Sequence, residues 1–301
     1  MRRKPLGAFG MLLVIILVMM TVGTPTGDLG TPSLPASPLG FKLGKPWMAR
    51  YDAEQYFVHP DSGRLVQYAG VSWEHWLGTD SQGRDDWSRI VWGARRSLFV
   101  GLWALGLATF LGTVVGVVSG YFRGWADTVM QRVMDALQSF PPLITLILIV
   151  TINPFTNQPS LTVAAFALGF VGITSVQRIV RGVVLSTREQ PYVEAARVIG
   201  ASDLRAMVFH ILPNIAAPII VVFSIGLGAV ILAEAALAFI APQAVPQDPS
   251  WGLMLNQGRF VMLDHPGPAL VSSAAIALAV LGFNLAGDAL RDVLDPRLRV
   301  G

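Results

Sequence analysis

The chain has 301 residues, of which 53% are hydrophobic and only 14% charged, and its mean hydropathy is +0.55. A soluble domain carries roughly 25% charged residues, so the charges are too few to cover a water-facing surface of this size; a soluble enzyme and a disordered chain are both excluded. The formal net charge is only +3, and the charges gather at the ends of apolar runs, which fits a membrane protein and not a nucleic-acid binder. Cysteine is absent, which rules out disulfides, thiol catalysis and Cys-ligated metals.

A bilayer core needs about 20 apolar residues in a helix. Six runs qualify in chain order: 6–23, 98–120, 137–152, 161–176, 215–240 and 269–286. The first follows Arg2, Arg3 and Lys4 and has the outline of a signal peptide. The stretch Thr21-Val22-Gly23-Thr24-Pro25 is a poor cleavage site, so residues 1–23 are expected to stay as an uncleaved anchor. Positive residues set the orientation. Arg2, Arg3, Lys4, Arg123, Arg132, Arg178, Arg181, Arg188, Arg197, Arg205, Arg291, Arg297 and Arg299 fall on one side; Arg259 alone falls in the two short loops of the other. Both termini are therefore expected in the cytoplasm, with residues 291–301 as a tail.

Residues 24–97 are then external. The part from 24 to 46 carries Pro25, Pro32, Pro35, Pro38 and Pro46 and reads as an extended linker. A more aromatic stretch follows, with Trp47, Tyr51, Tyr56, Phe57, Trp73 and Trp76. Such residues favour a membrane–water interface; a small folded cap and a substrate-contacting surface are both open readings.

Membrane helices associate through close backbone approach. Gly112, Gly116 and Gly120 supply this at four-residue spacing, and Gly226 and Gly228 do something similar. The stripe serves packing within the chain or a second membrane subunit. Pro141 and Pro142, after Phe140, bend the third span and make a gate candidate or simply a bent helix.

Catalytic motifs are missing. Gly40-Phe41-Lys42-Leu43-Gly44-Lys45-Pro46 has the wrong spacing for a P-loop and lacks its Ser or Thr. His59, His75, His210 and His265 are scattered, and no serine sits in a nucleophile elbow. Glu234 is the one carboxylate well inside a span. It is either a hydrogen-bonded acid near the outer interface or a pathway residue. A channel-like body of this kind needs an external motor.

The loop 188–213, between the fourth and fifth spans, is the most informative segment. Pro191 suits a first helical position. Tyr192, Ala195, Ala196 and Ile199 share one helix face, and Gly200 stops that helix. Ser202 can cap a second helix, with Asp203 at its positive end and Leu204, Met207, Val208 and Ile211 along one face. Two short helices at a sharp angle would form a compact knob. Glu194 is either an exposed side chain paired with Arg197 three residues on or a docking residue.

Glu194-Ala195-Ala196, then Gly200 and Leu212-Pro213, resembles the "EAA" loop of binding-protein-dependent ABC importer permeases. His210-Ile211-Leu212-Pro213-Asn214 resembles the C-type membrane subunit of the dipeptide, oligopeptide and nickel importers. Three other segments agree: Leu77-Gly78-Thr79-Asp80-Ser81-Gln82-Gly83-Arg84-Asp85 with the following Ser88-Arg89 and Gly93 to Leu98; Glu234-Ala235-Ala236-Leu237 followed by Pro249-Ser250-Trp251-Gly252; and Gly287-Asp288-Ala289-Leu290-Arg291 onward. Ala241 to Gln247 replaces the family's usual Leu-Gly-rich turn, which alters the outer mouth.

The resemblance implies an all-α integral membrane fold of six helices, the type I permease architecture of methionine and maltose importers, with a core over 98–290. It implies a multi-pass subunit of a bacterial or archaeal plasma membrane, with a second homologous permease, two cytoplasmic ATPases and an extracytoplasmic substrate-binding protein as partners. ATP and Mg would sit on the ATPases, with no cofactor or metal on this chain. Glu194, Ala195, Ala196, Gly200, Ala201, Ser202 and Leu204 would form the ATPase-coupling surface. Asp80, Gly83, Arg84 and Asp85 would order the external segment, with Arg84–Asp85 pairing as a simpler role. Peptides are the expected cargo; nickel, glutathione or another small solute is the alternative, and a secondary carrier is the competing class.

Overall fold

The computed structural model describes residues 5–22, 46–153 and 158–294. The expected linker before Pro46, the basic residues Arg2, Arg3 and Lys4, and the tail beyond Leu294 lie outside them. The described chain is mostly helical; residues 46–85 form no helix and carry isolated β-bridges between Tyr56 and Arg84, Val58 and Leu65, and Thr79 and Asp85. The main helices are α1 (Pro5–Thr21), α2 (Asp86–Phe122), α3 (Gly124–Gln138), α4 (Pro142–Ile152), α5 (Leu161–Thr187), α6 (Pro191–Val198), α7 (Asp203–Arg205), α8 (Ala216–Ile240), α9 (Trp251–Arg259) and α10 (Gly267–Leu294). Among the described residues, four helical runs are long and apolar enough to cross a membrane, or five if α3 and α4 count as one bent span; α1 is a shorter apolar helix.

The central strut is α2. Its 37 residues make it about 55 Å long, and it enters every large core cluster. Near its start it packs with α1, α8, α9 and α10 through Ile90, Ala94 and Leu98. Further along, Val100 and Ala104 meet α4, α5 and α8. At its end, Val117 and Tyr121 meet α5 and α6. Lipid supplies no hydrophobic drive for these contacts, so they depend on fit. A Cβ on Gly112 would stand 2.8 Å from Val176 Cβ, on Gly116 2.9 Å from the Gln177 carbonyl, and on Gly120 2.9 Å from Val184 Cβ. The glycine stripe therefore seats α5 within this chain. Gly226 and Gly228 likewise face Leu105 and the Val280 carbonyl. The contact of α1 with α10 is just as close: a Cβ on Gly7 would meet Ala289 Cβ at 2.7 Å.

Four boundaries differ from the hydropathy reading. The second apolar run begins at Leu98, but its helix starts at Asp86. Asp85 caps it, accepting from Ser88 N at 2.8 Å, and the charged first turns are buried against protein, which an apolar-run criterion does not see. The third run, 137–152, is no single helix. The chain turns by 79° between α3 and α4, because Pro141 is extended (φ −55, ψ 129) and neither proline offers an N–H. α3 is a separate amphipathic helix tied to α5 through Arg181–Asp127 (2.6 Å) and Arg178–Asp135 (2.8 Å). The second expected loop helix is not separate either. α7 passes into a π-helical stretch (Ala206–Ile211), a 3-10 turn (Leu212–Ile215) and α8, forming one 38-residue run, Asp203–Ile240. The widened turns accommodate Pro213 without ending the helix. Finally, the 241–268 loop contains α9, capped by Ser250, whose Oγ accepts from Leu253 N at 3.3 Å.

Candidate functional site

The Glu194–Leu204 segment stands at the Phe122 end of α2. Pro191 opens α6, whose side chains divide into two faces. Val193 is buried in the cluster formed by Val117, Tyr121, Val180 and Val184, and Ala196, three residues on, is buried as well. Tyr192, Glu194, Ala195, Val198 and Ile199 point outward. The expected apolar face (Tyr192, Ala195, Ala196, Ile199) is therefore split: only Ala196 turns inward. Gly200 has φ +89 with no atom within 4 Å of an added Cβ; its turn requires a left-handed residue, not a small one. Ser202 Oγ accepts from Arg205 N at 3.4 Å, which starts α7 as expected. Beyond the turn, Met207 and Ile211 are buried, while Leu204, Val208 and Phe209 face out.

An apolar patch is left around Gly200. Ile199 is 86% exposed, Val198 81%, Phe209 69% and Leu204 68%. Exposed apolar surface of this kind marks an interaction site, with a protein or with a membrane. Ala195 and Ala201 keep its relief low.

Sequence reasoning missed the residues that hold this knob to the bundle. Tyr121, in the last turn of α2, donates from its hydroxyl to Asp203 Oδ1 at 2.6 Å. The Arg197 guanidinium lies 4.7 Å from the centre of the same ring, and Arg188 donates to the Tyr121 carbonyl. Arg197 is thus turned onto Tyr121 and is not the partner of Glu194. Arg123, which follows α2, pairs with Glu189 at 2.6 Å. The only sequence signal was a tyrosine closing an apolar run, which by itself is also an ordinary interfacial residue.

A cavity of about 1180 Å³ opens between α3, α4, α5 and α8. Its wall is mostly apolar, with Gln138, Thr145, Thr174, Ser175, Asn214 and Arg291 as the scattered polar groups. Phe140 and Pro142 line it; Pro141 forms the break beside it, and Glu234 is not part of the wall. Glu234 is buried and accepts from Ser97 Oγ at 2.9 Å.

The Asp80–Asp85 signature lies at the other end of α2, far from the knob. Gly83 turns with φ +72. Arg84 reaches Asp80 at 2.7 Å and Glu54 at 2.9 Å, and it shares Gln257 Oε1 with Arg89, at 3.3 Å each. Arg84 does not pair with Asp85, which caps α2 and holds His75 Nδ1 at 3.0 Å. The cluster ties the segment before α2 to α9. Nearby, Arg96 donates to the carbonyls of Pro246 (3.0 Å) and Asp248 (2.5 Å), which fixes the Ala241–Gln247 turn.

Known proteins bear directly on this arrangement. Residues 112–300 match the family described as the binding-protein-dependent transport system inner membrane component. The glutathione transport system permease protein GsiD of Pectobacterium atrosepticum is 40% identical over 253 residues, covering 84% of this chain and 81% of that protein. Its counterpart from Escherichia coli O6:K15:H31 is 38% identical, covering 84% and 80%. A crystal structure of an amino acid ABC transporter with histidines overlays with a TM-score of 0.53 at 18% identity, covering 70% of this chain and 94% of that one, a likeness of fold alone. With the loop pattern, the helical bundle and a match over most of its length, this chain belongs to the binding-protein-dependent transport inner membrane components, as a C-type ABC importer permease of the dipeptide, oligopeptide and nickel group.

Proposed function

We propose that this permease forms half of the translocation pathway of a peptide importer and is driven through the Glu194–Leu204 knob by a cytoplasmic ATPase. In this reading it crosses the membrane six times, by α1, α2, the bent α3–α4 pair, α5, the α7–α8 run and α10, in the type I arrangement with both termini in the cytoplasm. The close packing of α1 on α10 supports a retained anchor. A second, homologous permease closes the cavity beside α4 and α8, two ATPases carry ATP and Mg, and an external binding protein delivers the solute. This chain binds no cofactor.

The observation that carries the reading is the outward apolar surface around Gly200, held to the end of α2 by Tyr121 and Asp203. A partner that moves this surface moves α2 and α8 with it, as packed rigid elements. Phe140 and Pro142, on the cavity wall at the α3–α4 break, are the gate. Glu234 has a structural role beside Ser97.

A peptide-like cargo is favoured. The relatives are named for glutathione, itself a small peptide, and the cavity offers dispersed hydrogen-bonding groups on an apolar wall.

The test uses Gly200→Asp and Glu194→Lys. Both lie on the outward surface, so the subunit should insert and pair with its membrane partner. Interface energy concentrates in few residues, so ATPase capture and ATP-dependent peptide uptake should fall together. Retention of both activities in both variants removes the knob as the coupling element.

A further inference from the structure

We infer that the tryptophan-rich surface of residues 46–87 is a lipid anchor, seated in the headgroup boundary of the leaflet at the Asp86 end of α2. The inference rests on the proposed orientation, with α1 inserted and this segment external.

Five of the eight tryptophans, Trp47, Trp73, Trp76, Trp87 and Trp92, fall between Pro46 and the second turn of α2. Trp73 is 91% exposed and Val71 79%, with Trp47 and Trp76 about half exposed beside them. Such a concentration of large apolar side chains in a folded segment calls for a partner. The patch is rigidly held. Arg50 donates to the Trp73 carbonyl and lies 5.0 Å from the centre of the Trp76 ring. Trp76 packs 5.5 Å from Trp87, and Trp87 Nε1 donates to the Met48 carbonyl at 3.0 Å.

Its height points to lipid. The 17 residues of α1 span about 25 Å, close to the hydrocarbon thickness of about 30 Å, so its last turn reaches the edge of the apolar layer. Trp47 Nε1 donates to the Met19 carbonyl in that turn, at 2.8 Å. The exposed Val18 and Met19 of α1 and the following Val22 therefore lead to Trp47, whose backbone N–H also donates to the Val22 carbonyl at 3.1 Å. A tryptophan with its ring exposed and its N–H satisfied suits this boundary. No residue of α1 or of 46–87 lines the cavity. The patch is on the α1 flank, beside Met19 and Val22, and not at the cavity.

Because the chain has no native cysteine, spin labels can be placed singly on Trp73→Cys and Val71→Cys in the full chain. It is assembled with its partners in vesicles of phosphatidylethanolamine and phosphatidylglycerol. Ile15→Cys on α1 and Asp61→Cys on the exposed hairpin are the references. Labels at 71 and 73 should collide more with oxygen than with a water-soluble nickel complex, as at 15 and opposite to 61. If Ile15 reports lipid while both patch labels behave like Asp61, the anchor is overturned. Labels that are aqueous in the permease and immobilised only on adding the binding protein assign the patch to that protein and also overturn it. A water-exposed Ile15 overturns the insertion of α1, and the inference with it.

Discussion

Tyr121, the penultimate residue of α2, donates a 2.6 Å hydrogen bond to Asp203, just beyond the Gly200 turn. One neutral hydroxyl thus joins the longest helix but one of the bundle to the segment proposed to meet the ATPase. The ring beneath Arg197 adds a second contact through its face. A displacement of the knob therefore acts on the end of α2 directly, not only through the loop backbone.

Tyr121→Phe keeps the ring and removes the hydroxyl. The loss should be roughly 0.5–1.5 kcal/mol of local stability, too little to unfold the subunit. ATPase capture should persist, while peptide taken up per ATP hydrolysed should fall. Paired with Asp203→Ala in a double-mutant cycle, the two changes should be non-additive. Additive effects on transport would show that this bond does not link knob and helix.

Gly116 should be among the least replaceable glycines. Its Cβ would meet the Gln177 carbonyl and the Val180 side chain, each at 2.9 Å, so Gly116→Leu must push α2 from α5, at a typical overpacking cost of about 1–3 kcal/mol. Gly182, on α5, meets nothing within 4 Å, so Gly182→Ala should be neutral or stabilise the helix by up to about 1 kcal/mol. Thermal unfolding in detergent, followed by aggregation, should lower the midpoint for the first and leave or raise it for the second.

Arg84 anchors Asp80, Glu54 and Gln257 in a buried cluster. Arg84→Ala would leave Asp80 buried without its main counter-charge, a change that typically costs about 3–5 kcal/mol. Arg84→Lys should rescue little, because one ammonium cannot serve the three partners of a guanidinium fork. The half-exposed pair Arg178–Asp135 should be worth at most about 1 kcal/mol. Yields of folded, membrane-inserted protein should separate Arg84 from Arg178 variants.

Glu234→Gln should leave uptake kinetics close to those of the parent. The amide oxygen can still accept from Ser97, and the side chain is not on the cavity wall. Glu234→Leu removes the acceptor of a buried hydroxyl and should reduce folded yield, at about 1–3 kcal/mol. A changed uptake KM with Glu234→Gln at normal yield would return this carboxylate to the pathway.

Ser202 and Gln247, replaced singly by cysteine, should be labelled from opposite sides of intact cells. Ser202 belongs to the knob and Gln247 to the turn held by Arg96, at opposite ends of α2. Labelling of both from outside would contradict the proposed topology.

By itself, the sequence determined the membrane class, the apolar helices and the family. These follow from local quantities: the length of apolar runs, charge placement, and motifs such as Glu194 to Gly200. It also located the Gly200 turn and the Ser202 cap, whose geometry depends on a few adjacent residues. Tertiary structure decided what depends on distant neighbours. In the sequence, Arg89, Arg95 and Arg96 fall at the end of the external segment 24–97, yet protein contacts bury them in the first turns of α2. Gln257 gained its role only when α9 folded against Arg84 and Arg89. Tyr121 became the hold on the knob because packing of α2 and α6 brings its hydroxyl to Asp203, 82 residues along the chain. Hydropathy records the solvent a residue prefers, whereas these roles are set by which side chain occupies the space opposite, and only the packed bundle supplies that.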